Sequence, residues 1–247
     1  MQSSSDIGNV FSRSWQLLSS NWIIIVPGLI IAVLAGILSA VLAPTGSQFI
    51  FDPNSGIPIG VNPVPGILRP VITIIAAILA ITYVTGMAGA AWRTGKTTLD
   101  DGTAAFKRDA GNVFVAMIGL LVLGVIAAAL APFTLGIFVL AFAVFFLYTM
   151  AASVVGEHRG FESLRESALI ARHSLVTTLI VVLLIGVIAV VAGLLGASLQ
   201  FMPFIGPIAA QIVQEVVLAF VTLVIVGEYL RLRSPQTVVV SPPPATL

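Results

Sequence analysis

The residue with the clearest chemical potential is an acid, Glu215, which lies inside a strongly apolar segment. Two amides, Gln211 and Gln214, precede it at positions that a helix places on one stripe. A carboxylate within a bilayer costs on the order of 3 kcal/mol, so such acids usually face the protein interior and often mark a proton or ion path. The structural alternatives are a hydrogen bond with the two amides or an ion pair with Arg69, near the same membrane face. These four residues form the candidate site.

A second motif, Gly95-Lys96-Thr97-Thr98, looks like the end of a phosphate-binding loop. That loop requires a glycine five residues before Gly95, where this chain has alanine, and it also requires a preceding strand. The preceding segment is an apolar helix pattern instead, and a polar linker, 94–111, follows it, with Thr98 and Asp101 in capping-box spacing. We therefore predict no nucleotide partner.

The remaining polar residues do not form a catalytic or metal-binding pattern. His158 and His173 are far apart in the sequence and have no third ligand nearby, which is too sparse for a metal site. No serine has a histidine and an acid placed as in a hydrolase triad. The chain contains no cysteine, which excludes disulfides and thiolate ligands. We predict no catalytic residue, no cofactor and no metal, and therefore a protein that is not an enzyme.

Composition places the chain in a membrane. Of its 247 residues, 58% are hydrophobic and 9% are charged, whereas a soluble domain is about a quarter charged. So few charges cannot cover a water-soluble surface, and the lipid bilayer is the predicted solvent and first partner. The net charge of +1 argues against nucleic acid as a partner.

The apolar segments predict an all-α membrane bundle of six transmembrane helices. They make up one domain, 1–233, followed by a proline-rich tail, 234–247, that we predict to be disordered. Prolines and glycines in the outer loop, 44–68, argue against a helix, and its β-prone residues around 48–51 and 57–59 suit a small hairpin. The predicted spans cover about residues 22–43, 69–92, 112–131, 133–155, 174–198 and 207–230.

Small residues recur along the first predicted span. Gly28, Ala32, Gly36 and Ala40 are spaced four apart, so a helix places them on one face. A face of this kind lets a second membrane helix approach closely. Chance in a chain rich in glycine and alanine explains the pattern equally well.

The distribution of basic residues predicts the orientation. Arg69 is the only basic residue at one predicted membrane face, and by the positive-inside rule both termini lie in the cytoplasm of a cell membrane. An even number of spans agrees with this. The ten basic residues at the other face are Arg13, Arg93, Lys96, Lys107, Arg108, Arg159, Arg165, Arg172, Arg231 and Arg233.

An amphipathic segment precedes each odd-numbered span. Aligning Asn21 with Asn112 and Ser174 brings these segments into register. We predict three repeats, each an amphipathic cytoplasmic helix followed by a transmembrane hairpin. The alternative is that any helix entering a membrane from the cytoplasm is amphipathic.

One segment also carries a family resemblance. Residues 154–168, VVGEHRGFESLRESA, resemble the segment shared by six-helix bacterial and archaeal membrane proteins, including the membrane domain attached to some glycerophosphodiester phosphodiesterases. Residues 6–11 and 228–233 resemble the start and end of such domains, which implies a standalone membrane domain over 6–233. The phosphodiesterases carry a catalytic His-Arg-Gly at the end of a barrel strand. Here His158-Arg159-Gly160 follows a membrane helix, without a barrel or acidic metal ligands, so we interpret it as a membrane border.

The sequence is compatible with three functions. The favoured one is a non-enzymatic scaffold, accessory or regulatory membrane component, whose partners are lipid, other membrane proteins or further copies of the chain. The alternative is a small transporter or channel that uses Glu215, although such a path needs polar groups to replace hydration. An intramembrane enzyme has the least support.

Overall fold

The computed structural model describes residues 2–42, 49–51, 58–61, 63–199, 201–202 and 206–233. The predicted tail 234–247 lies outside these residues. Nine helices and two short strands occur in the described part of the chain. They are α1 Gln2–Ser20, α2 Ile25–Leu42, β1 Phe49–Phe51, β2 Pro58–Val61, α3 Pro63–Thr94, α4 Leu99–Leu130, α5 Ile137–Phe146, α6 Thr149–Val154, α7 Phe161–His173, α8 Leu175–Leu199 and α9 Gly206–Arg233.

The helices confirm an all-α polytopic membrane bundle. Over the described residues, five helical segments are long and apolar enough to cross a bilayer. The number is six if a bent pair, Ile7–Ser20 with Trp22–Leu34, is counted as one span. The five are Ile74–Thr94, Leu99–Phe133, Ile137–Val154, Leu175–Leu199 and Ile208–Arg233.

The bend between α1 and α2 measures 88° and is held by Asn21. Its side-chain amide donates to the carbonyls of Leu17 and Gly95, at 3.0 and 3.1 Å. Its side-chain oxygen accepts the backbone N–H of Thr97 at 3.1 Å. The sharp bend therefore separates a predicted amphipathic helix, on which Trp15 is 60% exposed and packs edge-on against Phe220, from the apolar helix that follows.

Two predicted boundaries were wrong at α3 and α4. Helix α3 begins at Pro63, inside the segment predicted as a helix-free loop. Prolines are tolerated in the first turn of a helix, because the N–H groups there have no partner within the helix. The segment 94–111, expected as a linker that contains an amphipathic helix, is continuous with the third span, since α4 runs unbroken from Leu99 to Leu130. The predicted capping pair does mark this start, because the Thr98 N–H donates to Asp101 Oδ2 at 2.8 Å.

The fourth span is broken rather than continuous. Helix α5 ends at Phe146 and α6 starts at Thr149, and Ser167 of α7 bridges the break. The Ser167 hydroxyl accepts the backbone N–H of Tyr148 at 3.0 Å and donates to the carbonyl of Phe145 at 2.8 Å. A side chain inserted into the helical ladder in this way satisfies backbone groups that have lost their usual partners.

The outer loop contains the expected small hairpin. Strands β1 and β2 pair antiparallel, with Phe49 opposite Val61 and Ile50 opposite Gly60. The residues of its turn, 52–57, lie outside the described chain.

The helices form a closed ring of three similar units. Helix α1 packs on α9, the first half of α4 packs on α3, and α7 packs on α5 and α6. Each amphipathic segment thus contacts the second helix of the preceding hairpin, and α1 closes the ring onto the last one. Helices α3, α6 and α9 share a core at the centre, which agrees with the predicted repeat. This central core includes Val84, Met87, Ala91, Tyr148, Ala151, Ala152, Ala219, Leu223, Val226 and Tyr229.

Candidate functional site

Helix α9 places Glu215 and Gln211 one turn apart on the same face. The Gln211 Nε2 donates to Glu215 Oε1 over 2.9 Å. Glu215 is 9% exposed, so its carboxylate lies largely inside the protein. A hydrogen bond with the two amides was one of the structural alternatives, and the bond with Gln211 is present because residues four apart are neighbours on a helix surface.

Helix α2 covers the same carboxylate from the other side. A Cβ atom on Gly28 would overlap Oε2 of Glu215, so a larger residue at position 28 would displace the end of the Glu215 side chain. Gly28 is the first member of the predicted small-residue ladder. The side chains at positions 36 and 40 of that ladder lie outside the described set.

The other two predicted site residues are not part of this contact. Gln214 is exposed and borders a cavity between α8 and α9, so the predicted polar stripe is divided between two faces of α9. Arg69 lies in α3, but its side chain falls outside the described part of the structure. The ion pair between Arg69 and Glu215 therefore stays a prediction.

The geometry around Glu215 suits a link between helices. One carboxylate oxygen is hydrogen-bonded and the other abuts the backbone of α2. Among the described residues, four cavities open between α2 and α3, α4 and α5, α8 and α9, and at the α3–α4–α6 junction, and none of these four is lined by Glu215. Over the residues that can be described, no three acidic or histidine side chains form a metal-binding group.

Sequence reasoning missed a second polar cluster, at the end of the bundle where α3, α6 and α9 finish, here called the basic end. Arg93 and Arg108 each donate from Nη2 to a backbone carbonyl, of Val155 and Val154 respectively, both at 3.0 Å. These carbonyls belong to the last turn of α6, where acceptors have no partner within the helix. Two arginines from neighbouring helices therefore cap α6, and their charge also suits the negative end of its dipole.

Arg108 is further held by two acids. Its guanidinium lies 2.9 Å from the buried carboxylate of Asp109 and 3.1 Å from Glu157. Asp109 is 2% exposed, so it depends on Arg108 for compensation of its charge. Arg108 and Asp109 are adjacent in the sequence, but Glu157 and the carbonyl of Val154 reach Arg108 only when α4 and α6 pack.

Glu228 is the other buried acid at the basic end. It has no exposed surface and forms a bidentate ion pair with Arg231, in which Nε lies 3.0 Å from Oε2 and Nη2 contacts Oε1. The spacing of three residues on α9 is a signal that the sequence did offer.

The His-Arg-Gly motif and the Gly-Lys-Thr-Thr motif both lie in turns between helices. Gly160, with φ of 44°, precedes α7, and His158 Nε2 lies 3.9 Å from Glu166 Oε1. Gly95, with φ of 78°, forms the turn that follows α3. Residues 158–160 connect α6 to α7, as expected of a membrane border. Residues 95–98 connect α3 to α4 and follow a helix, not the strand that a phosphate-binding loop requires.

No family model, no curated protein and no solved structure matches the chain. The resemblance to the membrane domain attached to some glycerophosphodiester phosphodiesterases therefore stays a prediction.

Proposed function

We propose that this chain is a non-enzymatic structural component of a cell membrane, which scaffolds, assists or regulates a membrane partner. The observation that carries the proposal is the packed centre of the bundle at the basic end. Met87, Ala151 and Leu223, from α3, α6 and α9, have no exposed surface and belong to one continuous core. A substrate path would need groups that replace hydration at this point, and apolar side chains fill it instead.

The transport alternative depends on Glu215. Its carboxylate is hydrogen-bonded to Gln211 and covered by α2 at Gly28, so it contributes to the contact between two helices. This arrangement supports a structural role for the acid and places transport second.

Reconstitution into liposomes with an internal pH indicator separates the two functions. We expect the wild-type protein and the Glu215→Gln variant to leave the membrane equally impermeable to protons and small cations. Affinity purification from native membranes should recover a membrane protein at constant stoichiometry. A proton or cation flux that disappears in Glu215→Gln would overturn the structural proposal.

A further inference from the structure

The groove between α8 and α9 is the largest of the four cavities, with a volume of about 450 Å³. Small residues of α8, among them Ala189, Gly193 and Ala197, line one wall and recur every four positions. Helix α8 is described along its whole length, and it buries only Thr178 and Val181, both near its start. Helix α8 packs along α9, but the described residues leave most of its side chains uncovered.

Gln214 shows that this surface is incomplete. Its side chain is exposed on the groove wall, and none of the described residues forms a hydrogen bond with it. It lies eight residues after Gly206, or about 12 Å along the helix axis. An amide at that depth in hydrocarbon is costly unless its donors and acceptor are satisfied.

We propose that a second copy of this chain occupies the groove, with the two Gln214 side chains hydrogen-bonded to each other. A primary amide both donates and accepts, so two identical amides are complementary. A two-fold axis along the membrane normal places Gln214 at the same depth in both copies. The small residues let the helices approach closely enough for this contact.

A lipid chain is the main competing occupant. It can fill the volume of the groove, but it has no donor or acceptor for the amide. Self-association therefore provides a hydrogen-bond partner for Gln214, whereas a lipid chain does not. The inference rests on the proposed structural role and names the partner as the chain itself.

Cross-linking in native membranes tests the proposal, because the chain has no cysteine of its own. Ala210→Cys places a thiol on the groove wall one turn from Gln214, and Leu121→Cys places one on the exposed face of α4 as the matched control. A short bifunctional thiol reagent should give a covalent dimer with Ala210→Cys at about ten times the yield obtained with Leu121→Cys. Adding Gln214→Leu should weaken self-association about tenfold.

Three results would overturn the proposal that a second copy occupies the groove. One is the lack of a dimer although the thiol introduced by Ala210→Cys reacts with a monofunctional reagent. Another is a dimer whose yield is unchanged by Gln214→Leu in protein that keeps its helical content. The third is a covalent adduct with a different protein in place of the dimer. None of these concerns proton flux, so failure here is distinguishable from failure of the proposed function.

Discussion

At the level of single residues, Gly28 of α2 leaves the space that the Glu215 carboxylate of α9 occupies. Any side chain at position 28 would overlap the carboxylate. We expect Gly28→Leu to lower the free energy of unfolding by about 1–3 kcal/mol, the usual cost of overpacking. The measurement is the thermal midpoint in detergent. Gly186→Leu in α8, where a Cβ atom meets nothing within 4 Å, is the matched control and should leave the midpoint unchanged.

A double variant shows whether the two residues touch. Adding Glu215→Ala to Gly28→Leu removes the overlapped carboxylate and should recover part of the lost stability. Residues in contact are non-additive in this way, whereas distant ones are additive. Purely additive losses would contradict the contact.

Ser167 is the second single residue for which we expect a large effect on stability. It is the link between α7 and the broken ladder of the fourth span. Ser167→Ala leaves a buried N–H and a carbonyl without this partner, so we expect a loss of about 1–3 kcal/mol in the free energy of unfolding. Thermal unfolding in detergent measures it. Ser198→Ala is the control, because that hydroxyl is exposed and bonds only within its own helix. Equal midpoints for the two variants would argue against a bridging role.

At the level of elements, two arginines fix the end of α6. Arg108 donates to the carbonyl of Val154 and pairs with the buried Asp109, whereas Arg93 donates to the carbonyl of Val155 and pairs with no acid among the described residues. We expect Arg108→Gln to destabilise the protein by about 1–3 kcal/mol, and Arg93→Gln by less, because only the first leaves a buried acid without its partner. Thermal midpoints near neutral pH measure the difference.

The exposed Arg165 of α7 supplies the control for this pair. Arg165→Gln should have no measurable effect on the thermal midpoint. In the double variant, Asp109→Asn should offset part of the loss caused by Arg108→Gln, since it removes the uncompensated charge. A larger effect of Arg93→Gln than of Arg108→Gln would contradict the assignment.

The helix boundaries illustrate which elements the sequence can predict. Apolar length and helical spacing were sufficient for the bundle, and Thr98 with Asp101 marked the start of α4. Proline content misplaced the start of α3, because the first turn of a helix accepts proline. The break at Phe146 could not be predicted, since the hydroxyl that compensates it comes from another helix.

At the level of the whole molecule, the ring explains why α1 is part of the fold. The first half of α4 and helix α7 each pack on the hairpin that precedes them in the chain. Helix α1 has no preceding hairpin and packs on the last one, through α9. The repeat was visible in the sequence as spacing, but its cyclic closure depends on contacts between the two ends of the chain. The candidate site also has one part that the sequence can predict and one part that depends on packing. The Gln211–Glu215 bond follows from local spacing, whereas the role of Gly28 requires the packing of α2 on α9.

The ring also gives the predicted orientation a direct test. Lys96, in the turn between α3 and α4, is exposed at the basic end, and Leu135, in the turn after α4, is 96% exposed at the opposite end. The positive-inside rule puts the first in the cytoplasm and the second outside. In intact cells, a membrane-impermeant thiol reagent should therefore label Leu135→Cys and spare Lys96→Cys. Permeabilised cells provide the control, since both thiols should then react. The reverse pattern in intact cells would overturn the orientation and place both termini outside the cytoplasm.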